Sequence, residues 1–175
     1  MEVNNGPFIF TEEQRFGQVW LWVALVGMDV AFFALFFAQF FGPVPPRPTG
    51  PADLLGLCLG ALLCLGITAL FVSLKLITRI TNQGISVQFK PLHRKPVIFH
   101  FSDIREYSVR TYRPVMEYGG WGIKRGTGGL AYNVSGNKGL QLVLKDGRKI
   151  LIGTQKPEQL KSVIDSVFKL HFVIK

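Results

Sequence analysis

A chain of 175 residues that is 48% hydrophobic and 18% charged, with a mean hydropathy of +0.28, is too apolar for a disordered protein or an ordinary soluble domain. Its net charge of +9 is split: residues 1–74 carry two basic and five acidic groups, net −3, whereas residues 75–175 carry 18 and 6, net +12. Cys58 and Cys64 both fall in an apolar run, which excludes a disulfide framework and a CxxC metal site.

Residues 1–18, with Glu2, Glu12, Glu13 and Arg15, read as a cytoplasmic or interfacial N-terminal segment. Val19 to Phe41 follows, 23 residues whose one charge is Asp29, and then Leu54 to Leu74, 21 residues with none. At about 1.5 Å per residue, either run crosses a hydrocarbon core of about 30 Å. An acidic flank, the length of the first run and the lack of a small-x-small site argue against a cleaved signal peptide. The intervening residues 42–53 contain Pro43, Pro45, Pro46, Pro48 and Pro51, a short stiff loop that no helix tolerates. The expected organisation is a segment 1–18, transmembrane helices over 19–41 and 54–75, the Pro-rich loop 42–53 between them, and a domain over 76–175.

Orientation follows from the basic residues flanking the spans. Lys75, Arg79, Lys90, Arg94 and Lys95 follow the second span and Arg15 precedes the first, against Arg47 alone in the loop. The positive-inside rule puts both termini and the basic domain in the cytoplasm.

Ala24, Gly27, Ala31, Ala34 and Ala38 form a heptad stripe of small side chains on the first span, and Gly56, Gly60 and Cys64 repeat every four residues on the second. Small stripes let helix backbones approach closely in lipid. The expectation is that the two stripes pack together to close the hairpin, with a homodimer seam as the alternative. Asp29 lies opposite the first stripe, on the face that carries Trp22, Phe33, Phe36 and Phe40, and no basic residue of either span is available to pair with it. A carboxylate in hydrocarbon costs about 2.5–3.5 kcal/mol on insertion scales. Two readings stand: a protonated or water-reaching Asp, or a partner protein that offers this face a basic or polar group.

From Leu76 the apolar period changes to two. Ile85, Val87 and Phe89, then Val97, Phe99 and Phe101, then Leu140, Leu142 and Leu144 alternate with more polar neighbours, each group reading as a strand with one buried face. Strands are expected over 76–82, 84–91, 96–112, 121–125, 130–134, 139–145 and 148–154, with a type I′ turn at Asp146-Gly147. A helix opened by Pro157 follows, its apolar face formed by Leu160, Val163, Ile164, Val167 and Phe168. Seven antiparallel strands and one C-terminal helix make a small barrel or sandwich capped by that helix.

With this strand order, Tyr118-Gly-Gly-Trp-Gly-Ile-Lys-Arg, Ala131-Tyr-Asn-Val-Ser-Gly-Asn-Lys-Gly-Leu and Ile152-Gly-Thr-Gln-Lys-Pro-Glu, the chain resembles small bacterial membrane proteins in which two spans precede a pleckstrin-homology-like domain. The resemblance covers residues 70–170 and the two-span layout. It implies a binding or scaffolding domain rather than an enzyme. The turn Asn82-Gln83-Gly84 lacks the basic residues with which eukaryotic members of that fold hold inositol phosphates, and the nearest basic cluster, His93-Arg94-Lys95, falls one turn later.

The glycines from Gly119 to Gly129 do not match the spacing of a phosphate-cradling loop, and strands lie on both sides. They display Trp121 beside Lys124 and Arg125, either as a contact tip or interfacial anchor, or with Trp121 in the core. His93, His100 and His171 have no Cys or carboxylate companions at ligand spacing, so no metal or cofactor is expected. No nucleophile elbow frames a catalytic residue, and no aromatic-basic strand signature points to nucleic acid. The expected function is a non-catalytic accessory or scaffolding subunit on a larger inner-membrane complex, of which a respiratory or photosynthetic assembly is one example. The alternative is a sensor of anionic lipid that uses Lys75, Arg79, Lys90, Arg94 and Lys95.

Overall fold

The computed structural model describes residues 8–42 and 50–173, with side chains through Lys169. Pro43, Pro45, Pro46 and Pro48, expected to stiffen the loop, lie outside the described residues, as does the side chain of His171. The chain divides into two units: Gly17–Ser73, and a second unit built from the chain before and after it.

The first unit is a helical hairpin of α1 (Val19–Phe41) and α2 (Pro51–Ser73), 23 residues each and both long and apolar enough to cross a membrane. Helix α1 ends at Gly42, whose extended backbone turns away after its N–H bonds to the Ala38 carbonyl. Helix α2 opens on Pro51, and the carboxylate of Asp53 accepts the Gly50 N–H at 3.1 Å, an acid at the positive end of the helix.

The second unit holds nine strands and two helices among the described residues. One sheet runs in the order β1 (Phe10–Arg15), β2 (Lys75–Ile80), β3 (Gly84–Lys90), β4 (Val97–His100), all antiparallel. The other has the order β5 (Ile104–Thr111), β8 (Lys138–Leu144), β9 (Lys149–Gly153), β7 (Gly129–Asn133), β6 (Gly122–Gly126). Helix α3 (Pro114–Tyr118) precedes β6, and α4 (Pro157–Val173) closes the chain. Leu160, Ile164 and Val167 are the buried face of α4, and Phe168 stands edge-on to Phe101.

Four expectations change. The strand expected over 96–112 breaks at a 3₁₀ turn, Phe101–Asp103, where the chain passes from one sheet to the other. Val97, Phe99 and Phe101 keep a step of two, but the next buried residue is Ile104, three steps on, and that parity shift marks the break. Second, β7 and β9 pair in parallel, through Leu130↔Ile150 to Tyr132↔Ile152, so the domain is not wholly antiparallel. Third, no residue but glycine has positive φ among the described residues, so Asp146-Gly147 is not type I′. Leu144 accepts from and donates to the turn around Gly147, which alone takes the left-handed conformation.

The fourth concerns the N-terminal segment. It supplies β1, which pairs with β2 from Phe10↔Ile80 to Arg15↔Lys75, across the whole hairpin. Phe10, Glu12 and Gln14 face inward: Gln14 Nε2 donates to the Gly153 carbonyl at 2.7 Å, and Phe16 stands edge-on to Phe89. The second unit is therefore discontinuous in sequence.

Residues 74–175 expressed alone should lack a cooperative thermal transition, or melt at least about 10 °C below a chain in which Phe16 is joined to Leu74 by a short Asn-Gly turn. Circular dichroism melting of the two chains checks this; equal melting temperatures would show that β1 is dispensable.

Candidate functional site

In the hairpin, large side chains meet small ones. The less exposed face of α1 carries Leu21, Leu25, Met28, Asp29, Phe32 and Phe36, and that of α2 carries Leu57, Gly60, Cys64, Thr68 and Phe71. A Cβ at Gly60 would stand 2.7 Å from the Phe32 ring, so Gly60 is the gap that Phe32 occupies. Gly60 and Cys64 thus lie in the helix contact, whereas Gly56 is exposed and a Cβ there would meet nothing within 4 Å.

The small stripe of α1 does not close the hairpin. Ala24, Gly27, Ala31 and Ala34 are exposed and Ala38 is half-buried. The expected small-on-small seam is replaced by large-on-small packing, because the bulky α1 side chains find their gaps on α2 and turn the alanines outward.

Asp29 lies opposite that stripe, as its spacing requires, but it has a partner in the second span. Thr68 Oγ1 donates to Asp29 Oδ2 at 2.8 Å, while Oδ1 is buried without a hydrogen-bond partner among the described residues. The step of four through Gly56, Gly60 and Cys64 continues to Thr68, the signal that would have found it. Of the aromatic face, Phe33 and Phe40 are exposed, and Trp22 and Phe36 are half-buried. Phe36 packs on Phe40 at 4.5 Å between ring centroids. A groove of about 520 Å³ runs along α1, lined by Asp29, Val30, Phe33, Ala34, Phe37, Ala38 and Leu65.

In the β unit, cross-strand register puts Arg15, Lys75 and Lys90 in one row on the outer face of the first sheet. Glu13 pairs with Lys75 at 3.1 Å and Arg15 at 3.2 Å, and the Lys75 ammonium foremost holds its carboxyl below the usual range. The Arg79 guanidinium lies 4.9 Å from the ring centroid of Phe8. Lys90, Arg94 and Lys95 are exposed. Arg15 joins the expected basic set only through the pairing of β1 with β2.

Trp121 is half-buried, neither core nor free tip: its indole N–H donates to the Gly136 carbonyl at 2.9 Å. Lys124 and Arg125 are exposed on β6, an edge strand. The glycines here divide: Gly119, Gly120 and Gly122 take positive φ, whereas Gly126 serves close packing, since a Cβ there would run into the Glu117 carbonyl.

Two polar clusters hold the unit. Glu12, buried on β1, accepts from Thr154 Oγ1 at 2.6 Å and from the Gln155 N–H at 2.7 Å, at the approach to α4. Arg110 donates to both oxygens of Glu117, at 3.3 and 2.7 Å, and to Gln141. The Arg110 guanidinium, and then the Arg113 N–H, hold the Glu117 carboxyl below the usual range. Burial pushes the Tyr107 hydroxyl up to about 12, with Asp165, its acceptor at 2.8 Å, adding to the shift. Among the described residues, no three His, Cys, Asp or Glu side chains gather as metal ligands. No protein-family model matches the chain, and a search of curated proteins finds no match.

Glu12→Ala should destabilise the β unit by about 3 kcal/mol, because it leaves two donors without their carboxylate, and Glu12→Gln by clearly less. Thermal melting of the full chain in detergent measures both. Because the folded Glu117 is more acidic than its ordinary value of 4.5, its stabilisation is complete above that value and is lost as pH falls through the depressed one. Glu117→Gln should therefore flatten the loss of melting temperature between about pH 5 and 3 relative to the parent.

Proposed function

We propose that the chain is a non-catalytic, membrane-anchored accessory subunit that docks on a larger protein complex of the bacterial inner membrane, with its β unit in the cytoplasm. One observation carries this reading: the face of α1 formed by Ala24, Gly27, Ala31 and Ala34 is left uncovered by the hairpin's own packing. In lipid, close backbone approach over small residues is the principal source of helix association, so a second protein's helix gains more on this face than on a leucine face. A groove along α1 is lined by Asp29, Val30, Phe33 and Phe37 together with Ala34 and Ala38 of the stripe. Asp29 itself is held inside the hairpin, one oxygen bonded by Thr68 and the other buried, so the docking reading rests on the small-residue face.

The cytoplasmic placement is supported by Arg15, Lys75, Arg79, Lys90, Arg94 and Lys95 flanking the spans on one side. A pleckstrin-homology-like reading of the β unit is supported by its two sheets and closing helix; the nine described strands and the parallel β7–β9 pair exceed a seven-stranded antiparallel plan. Trp121, Lys124 and Arg125 would add a contact at the surface.

The test is purification of the tagged full chain in gentle detergent, followed by mass spectrometry. A stoichiometric membrane partner should be recovered with the parent and with Leu62→Ala, on the exposed face of α2, and lost with Ala31→Ile. Recovery of the parent chain alone, or a partner retained by Ala31→Ile, would sink the reading.

A further inference from the structure

The end of the first sheet that carries both connections to the hairpin also carries an unusual concentration of positive charge. Strand β1 ends at Arg15, four residues before α1, and β2 begins at Lys75, two residues after α2. Lys90, at the end of β3, stands opposite Lys75 in the same row. Like charges directly opposite on a sheet repel, and the row holds three. Glu13 offsets part of this by pairing with Arg15 and Lys75, but Lys90 forms no ion pair among the described residues.

The turn that leaves Lys90 emerges from this same end and adds Arg94 and Lys95, both exposed. At its tip Leu92 is 59% exposed, an apolar side chain flanked by cations. The turn is held in shape rather than loose. The His93 N–H donates to the Phe89 carbonyl at 2.7 Å, and Gln88 Nε2 donates to the carbonyls of His93 and Arg94 at 3.1 and 3.2 Å. His93 stands edge-on to Tyr132.

We propose that the outer row Arg15, Lys75 and Lys90, with the turn bearing Leu92, Arg94 and Lys95, is a binding surface for anionic phospholipid headgroups. The cations meet headgroup phosphates and Leu92 enters the interfacial layer. Covalent continuity holds this end of the sheet within a few residues of two apolar helices, and headgroup phosphate relieves the repulsion along the row. This surface is independent of partner docking through α1, and either stands if the other fails.

The test is hydrogen exchange of the amides of residues 92–95 in the full chain, reconstituted in nanodiscs of phosphatidylcholine with or without phosphatidylglycerol. The turn should exchange about tenfold or more slowly with the anionic lipid, and the difference should shrink at high salt. Substituting Lys90→Gln, Arg94→Gln and Lys95→Gln together removes roughly a hundredfold of headgroup affinity and should abolish the difference. Leu92→Ser should reduce it. Unchanged exchange of the β2–β3 amides shows that a variant is folded, and the salt comparison decides the matter for a variant that is not. Equal exchange in the two lipid compositions would overturn the proposal. So would full protection in the folded triple variant, or equal protection by inorganic phosphate in detergent.

Discussion

Six paired positions, Phe10↔Ile80 to Arg15↔Lys75, join strands that lie on either side of the helical hairpin in sequence, and the rest of the β unit is organised around them. Without β1, the β2 edge of the first sheet is an unpaired ladder, and Thr154, Gln155 and the Gly153 carbonyl lose Glu12 and Gln14. The pairing is long-range, and loop-closure entropy opposes it. Burial of Phe10 and Phe16 and the two carboxylate hydrogen bonds of Glu12 offset that cost.

The hairpin divides its residues by size. Phe32 against Gly60 and the Thr68–Asp29 hydrogen bond face inward, so the polar atoms near mid-span are partly satisfied within the hairpin. The outward face of α1 keeps its alanines and glycine. A helix needing only a lipid-facing surface does as well with leucine there, as α2 does with Leu55, Leu59, Leu62 and Leu63. The two exteriors thus differ in side-chain size, and the proposed docking rests on that difference.

Much of this was legible in the residues. Two apolar runs, the turn at Gly84, the strands around Val87 and Leu142, and the amphipathic C-terminal helix all follow from period and length. What escaped was encoded without an apolar period. Strand β1 reads Phe-Thr-Glu-Glu-Gln-Arg, and its inward positions after Phe10 are Glu12 and Gln14, whose burial depends on partners more than 130 residues away. Helix α3 is too short to display a periodic face. Asp29 was recognisable as exceptional, but its partner Thr68 counts as a weakly polar residue in any hydropathy profile. Which side of α1 faces α2 depends on the fit of Phe32 to Gly60, and stripe chemistry alone does not decide it.

The placement of β1 before the first helix and β2 after the second has a consequence for biogenesis. In a chain with both helices inserted, the two strands emerge on the same side of the bilayer and meet. When only one helix is inserted, they are left on opposite sides and the sheet has no first strand. Completion of the β unit then reports on correct insertion, and a misinserted chain exposes the β2 edge to the quality-control machinery that clears unfolded proteins.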